Sequence, residues 1–192
     1  MKNIAVVLSG CGVYDGSEIQ EAVLTLLAID RAGAKGRCYA PEVQQKHVLD
    51  HMTGEEMKER RSVLKEAARI CRGEIQPLAE LDCSSVDALI LPGGFGAAKN
   101  LCDYAFNGSD CTVLEQLSSV LDELQSQGKP LGALCIAPVI MAKIFGHKGV
   151  ELTIGSDEKT ASDLKKMGAK HVECSAEDCH VDEKLKIVST PC

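Results

Sequence analysis

The feature that most constrains this chain is an alternation of continuous apolar runs with amphipathic stretches. "NIAVVLSG" (3–10), "VDALILPGG" (86–94) and "PLGALC" (130–135) are apolar throughout their cores, with no polar residue at every second position. A strand of that kind is buried on both faces. "GRCYAPE" (36–42), "VELTIG" (150–155) and "LKIVST" (185–190) read as further strands. Between them lie helical patterns at 17–34, 53–73, 112–128, 137–146 and 158–168. In the first, Ser17 is the expected cap, Ile19, Val23, Leu26 and Leu27 the apolar stripe, and Gly33 the stop. The second opens on Thr53 and closes on Gly73. Strands alternating with helices predict a mainly parallel sheet covered on both faces, in one domain spanning 1–192. A closing helix is expected after the last strand, and the chain ends at "STPC" without one.

Composition narrows the function classes. A net charge of -7 argues against nucleic-acid binding, which needs a basic face. No apolar run reaches the length of a membrane span. The opening "MKNIAVVLSG" has neither a secretory apolar segment nor the Arg- and Ser-rich character of a transit peptide. Ten cysteines fall at 11, 38, 71, 83, 102, 111, 135, 174, 179 and 192, scattered without paired spacing. They predict a reducing compartment, with most of them acting as small apolar residues. The expected location is cytoplasmic, or the mitochondrial matrix after removal of a transit peptide.

In open parallel sheets, ligands bind beyond the C-terminal ends of the strands. Three loops there carry unusual residues. Cys135 lies where "PLGALC" turns into "APVIMAKIFG", the strand-turn-helix setting of a nucleophile elbow. There a helix N-terminus favours the thiolate and its N–H groups hold an oxyanion. A buried structural thiol is the plainer alternative, and the pattern leaves both open. Glu18, in the first turn of the first helix, is the candidate acid; an acid there also suits the helix dipole with no further role. Gly93, Gly94 and Gly96 in "LPGGFGAAKN" allow close backbone approach to a small ligand. Neither GxGxxG nor Gly-Lys-Ser/Thr is present, which argues against a nucleotide cofactor. Cys11 lies in the same expected mouth, as ligand contact or loop packing.

The cluster "HVECSAEDCH" (171–180) invites a zinc reading, but its spacing does not match usual ligand pairs; no metal is expected. The histidines lie at 47, 51, 147, 171 and 180, and Ile136 follows Cys135. A hydrolytic Cys–His pair is therefore disfavoured.

The segments "SGCGVYDGSEIQEAVLTLLA", "APEVQQKHVLDHMTGE", "EAARICRGEIQPL", "DALILPGGFGAAKNL", "GKPLGALCIAPV" and "LTIGSD" carry a family resemblance over nearly the whole chain. The chain resembles the ThiJ/PfpI group of the class I glutamine amidotransferase-like superfamily, and within it the ElbB-like (enhancing lycopene biosynthesis) family. The resemblance implies a flavodoxin-like three-layer α/β sandwich and a homodimer. It implies Cys135 as nucleophile, Glu18 as its acid, and Gly93, Gly94, Ile136 and Cys11 around the substrate. It further implies cofactor-independent conversion of small 2-oxoaldehydes, glyoxal or methylglyoxal, to hydroxy acids, with a loose link to isoprenoid synthesis. A redox-responsive or metabolite-binding protein with an oxidisable thiol and little turnover is the alternative.

Overall fold

The computed structural model describes residues 1–191; Cys192, the last of the ten cysteines, lies outside the described residues. The chain runs β1 (Asn3–Val7), α1 (Ile19–Arg31), β2 (Lys35–Ala40), α2 (Val63–Ile70), β3 (Ile75–Pro77), β4 (Ala88–Leu91), α3 (Tyr104–Asn107), α4 (Glu115–Ser126), β5 (Leu131–Leu134), α5 (Pro138–Phe145), β6 (Glu151–Leu152), α6 (Glu158–Lys166), β7 (Lys170–His171), β8 (His180–Asp182) and β9 (Ile187–Thr190). The main sheet has the order β3-β2-β1-β4-β5-β9-β8, parallel except for β8, which pairs antiparallel with β9. β6 and β7 form a small separate parallel pair. This is the flavodoxin-like, mainly parallel architecture that the alternating runs predict.

β1 shows why the runs are continuous. Ala5 and Val7 point into the core on one face, while Val6 and Leu8 point into the core on the other. All four are fully buried. In β4, Leu89 and Leu91 join the first core and Ile90 packs against the second. α4 and α5 fill the first core through Leu117, Leu121, Leu124, Ile140 and Phe145. Cys83 and Cys102 are buried in the same core, and Cys38 in the second, each as a small apolar residue. Among the described residues no cysteine is joined in a disulfide.

Three expectations need correction. The helix read over 53–73 is only α2. Ser62, not Thr53, is its cap, its Oγ accepting from the Lys65 N–H at 3.4 Å. Residues 55–61, "EEMKERR", offer no apolar stripe to bury, so their helix propensity has no packing to support it. They cross as an irregular strap, bridged at Leu49–Glu56 and Gln44–Ser62. The stripe of α1 is also displaced: Ala22, Thr25 and Ile29 are buried, while Ile19, Val23 and Leu27 remain exposed with Leu24. The other side of α1, through Thr25, Ala28 and Ile29, borders an apolar groove on the sheet lined in part by Ile90, Gly132, Leu134 and Val188. The strand read over 150–155 is confined to Glu151–Leu152, outside the main sheet.

Sequence order and sheet order meet at one functional point. From β1 the chain moves outward to β2 and β3, then returns to β4 on the other side of β1. The loops after β1 and β4 diverge there and open the crevice where such sheets bind ligands. β5, which ends at Leu134, lies next to β4.

Candidate active site

Cys135 follows β5 with φ of +58°, one of the few non-glycine residues of this chain in the left-handed region. A side chain costs energy there, so the surroundings must impose the bend. Both neighbours do so. The Cys135 N–H donates to the Thr190 carbonyl of β9 at 3.0 Å, and the Ala137 N–H donates back to the Leu134 carbonyl at 2.9 Å. α5 then starts at Pro138, whose missing N–H is no loss in a first turn. The thiol is half-buried at the end of the sheet.

The carboxyl hydrogen-bonded to this thiol belongs to Glu21. Glu21 Oε2 also accepts from the Gly93 N–H at 2.8 Å. Burial pushes the Glu21 carboxyl above the ordinary carboxylate range; the hydrogen bonds from Gly93 and Cys135 oppose the shift, and the Glu18 charge adds to it. Glu18 holds a different post. It is the cap of α1, its Oε2 accepting from the Glu21 N–H at 2.6 Å, while its own N–H donates to the Gly93 carbonyl at 3.0 Å. Glu18 thus fixes the helix start that aims Glu21, and Ser17, expected as cap, turns inward to accept from the Ser9 N–H at 2.8 Å.

Gly93 is where the three elements converge. A Cβ built on it would lie 2.4 Å from Cys135 Cβ, 2.6 Å from Glu21 Oε2 and 2.9 Å from Cys135 Sγ. Only glycine lets the loop pass. Gly94, at φ +93°, turns the loop against Glu18 and Gly16. Of the donors expected at the mouth, the Gly93 N–H serves Glu21, and Ile136 is the residue directly after the thiol. At Cys11, burial and then the Glu66 carboxylate push the thiol up, with Arg69 opposing and Asp15 adding to the shift.

A buried polar network secures the loop that precedes Glu18. Asn100, fully buried, donates to the carbonyls of Ser9 (2.9 Å) and Asp15 (2.8 Å) and accepts from the Lys46 N–H at 3.0 Å. Asp15 accepts from the Leu49 N–H at 2.7 Å. Three of the five histidines make contacts with other side chains. His51 stacks on Tyr14, His47 meets Phe106 edge-on, and His180 lies 3.5 Å from Glu151. Among the described residues no group of three or more His, Cys, Asp or Glu is placed to hold a metal ion. None of the helices among the described residues is long and apolar enough to cross a membrane.

A mainly parallel sheet with a thiol on a strained strand-to-helix bend, facing the crevice beside the first strand, defines the class I glutamine amidotransferase-like architecture. The comparisons agree. The ES1 protein homolog, mitochondrial, of Rattus norvegicus is 48% identical over 198 residues, which cover 98% of this chain and 74% of the relative. The human glutamine amidotransferase-like class 1 domain-containing protein 3, mitochondrial, is also 48% identical over 198 residues, covering 98% of this chain and 73% of the relative. The crystal structure of an isoprenoid biosynthesis protein with amidotransferase-like domain from Ehrlichia chaffeensis matches with a TM-score of 0.90 at 36% identity, covering 98% of this chain and 87% of that one. No family model matches the chain. The chain belongs to the ES1/glutamine amidotransferase-like class 1 domain family. Both mammalian relatives carry a mitochondrial designation, which accords with the matrix alternative and gives the cytoplasmic expectation no support.

Proposed function

We propose that this chain is an ElbB-like, cofactor-independent glyoxalase that converts small 2-oxoaldehydes to hydroxy acids. The observation that carries the reading is the hydrogen bond between the Cys135 thiol and a half-buried carboxyl, Glu21, itself held by the Gly93 N–H. The thiolate adds to an aldehyde carbon of glyoxal and forms a hemithioacetal. The Glu21 carboxylate takes the hydrogen of that carbon as a proton and delivers it to the neighbouring carbon by way of an enediol, leaving a thioester. Water cleaves the C–S bond, releases glycolate and restores the thiol. One carbon is oxidised and its neighbour reduced, so the sum is the addition of one water and no external oxidant is consumed.

The geometry suits these steps. A carboxyl whose pKa burial raises above the ordinary carboxylate range is better matched to taking and returning a proton. The Gly93 N–H fixes its direction, and the N–H groups of Ile136 and Gly94 are the donors assigned to the developing oxyanion. The mitochondrial matrix, where free thiols persist, is the compartment assigned to this chemistry.

The test is glycolate formation from glyoxal by the native chain and by Cys135→Ser, with intact-mass measurement after mild peroxide. Turnover by the native chain that disappears in C135S supports the enzyme. Full activity in C135S refutes it. Negligible turnover with selective oxidation at Cys135 replaces it with the redox-responsive reading.

A further inference from the structure

A cavity whose wall includes Ile136, the residue after Cys135, is far larger than a two- or three-carbon aldehyde. Its volume is about 630 Å3, within the range that holds a drug-sized ligand. Two of its lining residues are chain neighbours of the site: Ile136 directly follows Cys135, and Phe95 directly follows the Gly93–Gly94 loop. Its other side chains include Tyr14, Tyr104 and Phe106, so four aromatic rings face one space. Phe95 and Phe106 are each half exposed, although burial of such rings is strongly favourable.

Each ring is braced by a neighbour. His47 meets Phe106 edge-on at 5.3 Å, and His51 stacks on Tyr14 at 4.9 Å. The Tyr104 hydroxyl donates to Asp163 at 3.1 Å. Lys99 lies 5.6 Å from the centre of the Phe95 ring and donates from Nζ to the Tyr14 carbonyl at 2.8 Å. Braced rings keep a slot open for a flat guest.

We infer, resting on the reaction proposed above, that the cavity selects 2-oxoaldehydes whose ketone carbon carries an aromatic ring, with Phe95 and Phe106 as specificity-determining residues. The chemistry balances as before. The aldehyde carbon is oxidised to the acid, the aryl ketone carbon is reduced to the carbinol, and one water is added. The product is an aryl hydroxy acid. A methyl group leaves the slot unfilled.

The experiment uses the full chain with phenylglyoxal and methylglyoxal as probes, native and Phe106→Ala. The native ratio of kcat/KM is expected to favour phenylglyoxal by about tenfold or more, the scale set by filling an apolar pocket. In F106A that ratio should collapse about tenfold. A native ratio near one, or a ratio unmoved in F106A, overturns the inference. Calorimetric binding of the corresponding acids, mandelate and lactate, separates this slot from the chemistry. Mandelate bound about tenfold tighter than lactate, with the difference lost in F106A, upholds the slot even in a chain that turns over neither aldehyde. Methylglyoxal turnover with no preference for either aryl compound removes the slot and leaves the reaction. Absence of both turnover and mandelate binding removes both.

Discussion

Gly93→Ala places one methyl at the crossing of three elements. The new Cβ would start 2.4 Å from Cys135 Cβ and 2.6 Å from Glu21 Oε2. Carbon atoms rest at about 3.5–4.0 Å, so the loop and the elbow must part by roughly 1 Å. Neither side gives easily. The elbow is pinned through the Cys135 N–H to Thr190, and the loop through the Glu18 N–H to the Gly93 carbonyl. Overpacking of this kind costs about 1–3 kcal/mol. For a chain of this size each kcal/mol moves Tm by about 2–4 °C, which gives a fall of about 2–12 °C in thermal unfolding. The effect on chemistry is steeper. A misplacement near 1 Å between reacting groups costs about 100-fold, so G93A should lose glyoxal turnover by that factor while remaining folded at room temperature. Gly132→Ala on β5 is the comparison, because its Cβ would meet the Ile90 side chain no closer than 3.2 Å, at Cγ1. Native Tm and native turnover in G93A would refute the convergence of the three elements at this glycine.

Two further outcomes follow from the same geometry. Because burial raises the Glu21 carboxyl in the folded chain, the folded state binds more protons than the unfolded state between the two pKa values. The stability from this group is therefore full below the ordinary carboxylate range and falls as pH rises through the raised value. Glu21→Gln, which keeps an oxygen for the Gly93 N–H, should gain Tm relative to native as pH is taken from about 4 to about 7; a flat difference contradicts the assignment. Asn100→Ala orphans the Ser9 carbonyl and the Lys46 N–H and leaves the Asp15 carbonyl only its 3.3 Å bond from Gln45 Nε2. At about 1–3 kcal/mol per lost partner, partly relieved by water, a loss near 3 kcal/mol is expected. Thermal unfolding should drop by about 6–12 °C.

The sheet was legible because physics writes it twice. A strand covered on both faces must be apolar throughout: β1 is so after Asn3, and β4 and β5 are so although Ile90, Gly132 and Leu134 open on the groove. The thiol was legible for a related reason: Cys135 interrupts the passage from β5 to α5 at a bend where packing alone would not ask for sulfur. The acid was harder to read. Ser17 has the chemistry of a cap, so the helix was read from 17; the structure caps it with Glu18 and turns Ser17 toward Ser9. A shift of one position in the cap makes Glu21 the third helical residue, directed back over the helix start. The spacing Glu18-x-x-Glu21 was the available signal. The strap at 53–62 went unread because its charged residues have helix propensity and its tertiary bridges leave no local mark. Cys11 was placed at the mouth by its loop, and the carboxylate that raises its thiol, Glu66, sits on α2, distant in sequence.

The most direct measurement is kcat/KM for glyoxal in Glu21→Gln beside Glu18→Gln, with both variants confirmed as folded. The account predicts a fall of at least about 100-fold in E21Q, which removes the proton carrier. E18Q retains an oxygen that can cap the helix and should keep most of the activity. Native activity in E21Q, with the loss appearing in E18Q instead, would contradict the assignment of the carboxyl bonded to Cys135 as the group that moves the proton.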